Sequence, residues 1–442
     1  MIRRWCERAI DVRERELLPA LLAVALYFCI MFAYFILRPL RDAMGLDGGV
    51  DSLRVLFLVG LGVMVLANGA FGFLTSKFSR RLFLPCVYVF AICSLGVFLT
   101  LFLTGTGEAS PLVGKVFFVW LSVFNLFAVS VLWGFLSDIF SLEQSKRLYG
   151  LVAVGGTAGA IVGATYTGVL VKTLGETGLF ASAMALLVVV VALVLALDRV
   201  ARLRGLGAHK DAKGVETMPL GGASLKGIGD VLRSPYLRTI ALYVLIYTVM
   251  STLLYFEKNR IVDGLATTRA ERAKIFATID IVSQTATIIM QVFITGRLMR
   301  TVGVGKLLMV VPAVSVIGFA AITIVPGLIV LAGFEAVRKS TNYALSRPAR
   351  ETLFTVVPRD EKYKAKSLID TFVYRGGDSL GTLADIVIIA IALPVAALAV
   401  PLGLVGIGIS WVLGRSESGL ARHAEETTHA PADVPALTIE KG

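Results

Sequence analysis

Histidine and cysteine are scarce in this 442-residue chain, with three of the first and four of the second. His209, His423 and His429 all fall in hydrophilic segments. Haem, zinc and a histidine proton relay inside an apolar core are therefore disfavoured. Cys6 sits in the N-terminal segment, and Cys29, Cys86 and Cys93 lie in apolar runs without paired spacing. They read as small packing residues, not as a metal site or disulfide framework. No metal and no cofactor is expected. Phosphate-loop chemistry is missing too: Gly303-Val-Gly-Lys306 and Gly155-Gly-Thr-Ala-Gly159-Ala-Ile-Val-Gly163 lack the Lys-Ser/Thr ending of a Walker sequence. No nucleophile elbow, H-E-x-x-H or paired-carboxylate site is present, so an enzyme is not expected. The first 16 residues mix Arg3, Arg4, Arg8 and Arg13 with Glu7, Asp11 and Glu14, unlike a cleavable signal peptide.

Charge is also thin, at 17% of residues against roughly 25% in a soluble chain. Apolar residues make up 56%, and the mean hydropathy is +0.80. They come in runs of about 20 residues, the length that crosses a hydrocarbon layer of roughly 30 Å as a helix. Twelve such spans are predicted: 18–37, 53–75, 82–104, 113–137, 149–171, 178–198, 237–256, 273–295, 305–325, 327–347, 366–392 and 394–413. The chain reads as an all-α polytopic membrane protein. Its expected parts are an N-terminal segment 1–17, a six-helix half 18–198, a central loop 199–235, a second half 236–414 and a disordered polar tail 415–442.

The net charge of +12 first has to be tested as a topology signal. With the N-terminus inside, thirty Lys and Arg lie in the loops on that side and nine on the other. That asymmetry predicts cytoplasmic termini and removes any need for a nucleic-acid partner. The halves also resemble one another. Glu143-x-x-Lys146 with Gly159 and Gly163 matches Glu361-x-x-Lys364 with Gly377 and Gly381, all at a spacing of 218. Loop 72–84 and loop 296–306 both resemble the G-x-L-a-D-r-x-G-r-k loop of the major facilitator superfamily, with its acidic position replaced by Ser76 and Arg300. Two six-span pseudo-repeats place a substrate site between the halves near mid-membrane. The small residues of span five, four apart, are read as helix packing.

Charges inside the apolar frame are the informative ones, because each costs about 2.5–3.5 kcal/mol at a span centre. Span ten carries Glu335, Arg338, Lys339, Asn342 and Tyr343. Arg338 and Lys339 fit either an internal ion pair with Glu335 or a wet cavity that needs cations. Arg38 and Arg41 share one helix face at the end of span one, with Asp42 beside them. They either snorkel to the interface or, with Pro39 bending the helix, aim inward. Lys258 and Arg260 end span seven in the same way. From span ten into span eleven come Arg347, Arg350, Glu351, Lys364, Lys366, Asp370, Arg375, Asp378 and Asp385. Asp370 and Asp378, eight apart, are expected on one side with Arg375 partly bridging them, as a gate or as substrate contacts. Asp280, in span eight, is the coupling candidate.

Ile36-Leu-Arg38-Pro-Leu-Arg41-Asp42 resembles the I-L-R-x-x-K-D motif of the bacterial and plastid ATP:ADP antiporter (nucleotide transporter) family. Leu132-Trp133-Gly-Phe135 and Lys146-Arg147-x-Tyr149 look like that family's fourth span and following loop. Tyr343-Ala-Leu-x-Arg347-Pro348-x-x-Glu351 and Lys364-x-Lys366-x-x-Ile-Asp370 are similar to its Y-S-L-x-x-P-x-x-E and K-x-K-x-x-I-D. The resemblance implies a major-facilitator-like fold in a bacterial inner membrane and exchange of ATP for ADP, or of related phosphorylated anions. It also makes Arg38, Arg41, Arg338, Lys339, Asn342, Tyr343 and Arg375 substrate-contact candidates. Guanidinium forks suit phosphate oxygens. Two departures stand out: the family's span-one lysine is Arg41, and no acid lies between Val113 and Ser137. A monomer handling a small anionic solute is expected. A proton-coupled organic-anion carrier and a non-transporting assembly or lipid-handling partner are the alternatives.

Overall fold

A helix in lipid must satisfy its own backbone groups, so each long apolar run is expected to form one. The computed structural model describes residues 14–77, 80–104, 111–206, 229, 231–354, 357, 365–366 and 368–429. The residues before 14, most of the central loop, Lys364 and the tail from 430 lie outside the described residues. No strand occurs among the described residues. The N-terminal half holds α1 (Glu14–Gly45), α2 (Gly49–Lys77), α3 (Arg80–Leu103), α4 (Pro111–Ile139) and α5 (Leu142–Leu203). The C-terminal half holds α6 (Pro235–Leu265), α7 (Arg269–Phe293), the short α8 (Thr295–Thr301) and α9 (Val304–Ile324). It continues with α10 (Leu328–Thr341), a π-helical turn Asn342–Ser346, α11 (Arg347–Leu353), a second π turn Ile369–Val373, α12 (Tyr374–Ala390) and α13 (Ala396–His429). Nine helices among the described residues are long and apolar enough to span a membrane.

Local sequence sets the boundaries. Ser141 with Gln144, and Thr268 with Glu271, form capping boxes that open α5 and α7. Ser234 caps α6 ahead of Pro235 at its first position. The 62-residue α5 contains two of the expected spans, because Gly175 breaks it at φ +63°, a conformation open to glycine at little cost. The expected disordered tail needs correction over 415–429, where α13 simply continues to His429.

The two halves pack by the same rule. On α5, a methyl group at Gly159 would collide with the carbonyl oxygen of Phe28, and one at Gly163 with that of Phe32, both on α1. On α12, a methyl at Gly377 would lie 2.8 Å from Thr248 Cβ and one at Gly381 2.7 Å from Thr252 Cβ, both on α6. The repeat offset of 218 thus relates two close helix pairs, α1–α5 and α6–α12, in which small residues let the backbones approach. Gly159→Ala should therefore destabilise by about 1–3 kcal/mol through overpacking, read as a lower melting temperature in detergent. Gly408→Ala is the matched control, with nothing within 4 Å of the added carbon, and an equal effect of the two would contradict the close α1–α5 contact.

Candidate functional site

Cations and carboxylates from α1, α6, α7 and α10 meet between the halves. Arg38 on α1 pairs with Asp280 on α7 at 3.0 Å. The same Asp280 oxygen faces Lys339 on α10 at 3.3 Å, and Lys339 lies 2.5 Å from Glu335, one turn earlier. Glu335 also pairs with Lys258 on α6 at 3.3 Å, while its Oε2 is buried and accepts no hydrogen bond. Beside this chain, Arg41 pairs with Asp42 at 2.6 Å and donates to Ser122 at 3.2 Å. Tyr255 from the other half donates to Asp42 at 3.1 Å. Arg38, Arg41 and Lys258 each lie 5.0–5.2 Å from an aromatic ring centre, those of Phe35, Phe118 and Tyr255.

The cluster therefore joins four cations to three carboxylates. Arg38 and Lys339 keep part of their surface exposed, at 18% and 21% of the side chain. Exposure rises along one face of span ten: Glu335 is buried, Lys339 half-buried, Tyr343 42% exposed and Arg347 exposed. That row points from the buried cluster toward the end of the bundle where α11 lies.

Several expected site residues are placed elsewhere. Arg338 does not share a cavity with Lys339, because neighbouring positions on a helix diverge by about 100°. It turns into the C-terminal half, donating to Ser315 at 3.0 Å, Ser251 at 2.7 Å and the Tyr247 carbonyl at 3.2 Å. Among the described residues no carboxylate comes within ion-pair distance of it. Asp370 and Asp378 do not share Arg375: Arg350 pairs with Asp370 at 3.4 Å and Arg375 with Asp378 at 3.1 Å. The π turn between them interrupts the α-helical register on which the eight-residue spacing relied. Asn342 begins the other π turn. Lys366 pairs with Glu351. Arg347, expected in an ion pair, meets no carboxylate among the described residues.

The sequence marked other charged groups without naming their partners. Asp385 on α12 is 0% exposed and accepts from Arg54 of α2 at 2.7 Å and Arg260 of α6 at 2.8 Å. Arg54 also pairs with Asp51, and Arg260 with Glu257 at 2.6 Å. Near the α1–α2 turn, Arg269 pairs with Asp47 at 2.6 Å and Glu176 at 3.4 Å, joining the halves again. At the opposite end the described ion pairs Glu16–Arg147, Arg350–Asp370 and Lys366–Glu351 each stay within one half. Only the cost of an acid deep in an apolar span pointed to Asp385 beforehand, and Lys258 and Arg260 were equally readable as interface residues.

Comparison with known proteins supplies independent findings. The sequence matches the family described as TLC ATP/ADP transporter over residues 115–416, and that described as Sugar (and other) transporter over residues 4–197. It is 22% identical to ADP,ATP carrier protein 1 of Chlamydia muridarum (strain MoPn / Nigg), covering 84% of this chain and 82% of that protein. The fold is similar to that of the nucleoside transporter NupG, with a TM-score of 0.63 at 13% identity, covering 91% of this chain and 99% of that one. It is also similar to a peptide transporter, POT, with a TM-score of 0.62 at 14% identity, covering 90% and 95%. A bacterial homologue of the lysosomal transporter Spinster gives a TM-score of 0.55 at 13% identity, covering 95% and 100%.

Proposed function

The chain belongs to the TLC ATP/ADP transporter family, a membrane transporter with a major-facilitator-like fold, and from that premise we propose that it exchanges nucleotides or related phosphorylated anions by alternating access. The observation that carries this reading is the buried cluster between the halves, with Arg38 and Lys339 held on one carboxylate, Asp280. Four cations share three carboxylates, so the positive excess awaits an anion.

Asp280 and Glu335 hold the cations in place while the site is empty. Phosphate oxygens approaching Arg38 and Lys339 replace those carboxylates as partners, and the bidentate geometry of guanidinium favours phosphate. Glu335 Oε2, buried without a partner, is left for a hydrogen-bond donor on the solute; a ribose hydroxyl meets that need and a bare polyphosphate does not. Because an empty site strands cations unless the carboxylates return, reorientation is favoured either fully paired or loaded, which suits exchange. Arg41, Asp42 and Tyr255 form the second contact between the halves at this depth. The pairs Arg350–Asp370, Arg375–Asp378 and Lys366–Glu351 act as gate elements on the other side. The cytoplasmic placement of both termini, inferred from the basic loops, makes that side the inner one.

Proteoliposomes preloaded with unlabelled ATP or ADP should take up labelled nucleotide well above empty vesicles. Absence of counterflow across a panel of nucleotides and sugar phosphates would remove this reading. Uptake that collapses with an uncoupler and needs no internal solute would favour the proton-coupled alternative.

A further inference from the structure

We propose that the recess between the start of α9 and the middle of α13 binds the phosphate of an anionic phospholipid. This site is separate from the cluster between the halves. Gly305 and Gly414 approach backbone to backbone: a methyl at Gly305 would lie 2.7 Å from Gly414 Cα. The pair leaves no side chain to fill the space beside it, and a recess of about 410 Å³ remains, lined by Gly303, Lys306, Met309, Trp411, Arg415 and Ser418. The Arg415 guanidinium stacks on Trp411 at 3.7 Å from the ring centre, which fixes its plane beside the recess. Among the described residues neither Lys306 nor Arg415 comes within ion-pair distance of a carboxylate, and the two cations line one opening.

The surroundings identify the occupant. Ile317 on α9 and Leu404, Val405 and Val412 on α13 are exposed large apolar residues, the surface along which acyl chains lie. Trp411 is 49% exposed and sits beside the cations, the arrangement of an aromatic ring at headgroup depth. Paired basic residues between spanning helices suit a phosphate headgroup. A net-anionic headgroup such as phosphatidylglycerol is favoured over a zwitterionic one, because the recess lining offers no acid to receive a headgroup amine. Gly303-Val-Gly-Lys306, which is no nucleotide loop, thereby gains a role at the first turn of the 21-residue α9, whose N-cap makes no side-chain hydrogen bond.

The test uses the full chain in phosphatidylcholine vesicles doped with a minor fraction of lipid brominated on its acyl chains. The Trp411 emission is isolated by difference against Trp411→Phe. Brominated phosphatidylglycerol should be enriched roughly tenfold over brominated phosphatidylcholine next to Trp411. Lys306→Gln with Arg415→Gln should bring the two quenching curves together while counterflow and the melting temperature stay as in the parent. Equal quenching by both lipids in the parent would overturn the proposal. So would displacement of phosphatidylglycerol by inorganic phosphate, which would mark a soluble anion as the occupant.

Discussion

Asp280→Asn should abolish exchange while leaving anion binding intact or tighter. The reason is the position of the Asp280 carboxylate, 3.0 Å from Arg38 of one half and 3.3 Å from Lys339 of the other. Neutralising it leaves Arg38 without its carboxylate partner and Lys339 with Glu335 alone. Breaking a buried pair from one side costs roughly 3–5 kcal/mol, more than about a hundredfold in the population of any state that depends on it. Yet the site becomes more positive, so the apparent affinity for ATP or ADP should not fall. Counterflow rate and equilibrium binding, measured on the same reconstituted protein, separate the two effects. Asp280→Glu should retain exchange. Asp280→Asn combined with Arg38→Gln should recover folding yield without recovering turnover. If Asp280→Asn alone exchanges at the parent rate, the carboxylate has no part in the cycle.

The second large effect is expected at Asp385. Arg54 and Arg260 converge on it from opposite halves, and Asp385→Asn leaves Arg54 with Asp51 and Arg260 with Glu257 but removes the carboxylate that ties the halves together. Closure on that side should weaken. With the native cysteines replaced and Ser52→Cys as reporter, a membrane-impermeant maleimide should label the Asp385→Asn protein faster than its parent, and counterflow should drop at least about tenfold. Unchanged labelling would mean that the clasp does not hold that side shut.

Much of this architecture was legible beforehand, because lipid punishes exposed backbone and unpaired charge and so writes spans and expensive residues plainly into the chain. The offset linking Gly159 and Gly163 to Gly377 and Gly381 carried real geometry: each pair seats its helix against the first helix of its half. The site was harder. A list of cations does not say which way each one turns, and Arg338 and Lys339, adjacent in sequence, belong to different surroundings. The π turns at 342–346 and 369–373 have no compositional mark, so any argument from spacing across them slips, as it did for Asp370 and Asp378. Partners distant in sequence, such as Arg54 and Asp385, become visible only once the chain is folded.

The clasp at Asp385 also bears on the proposed alternating-access cycle, in which two halves joined by buried ions have to part. Asp51, on the same helix as Arg54, already contacts its guanidinium, and Arg260 already holds Asp385 from within its own half at 2.8 Å. Each side thus carries a spare partner. In that cycle Arg54 would pass to Asp51 and Asp385 would keep Arg260, so neither half would swing away with a naked charge.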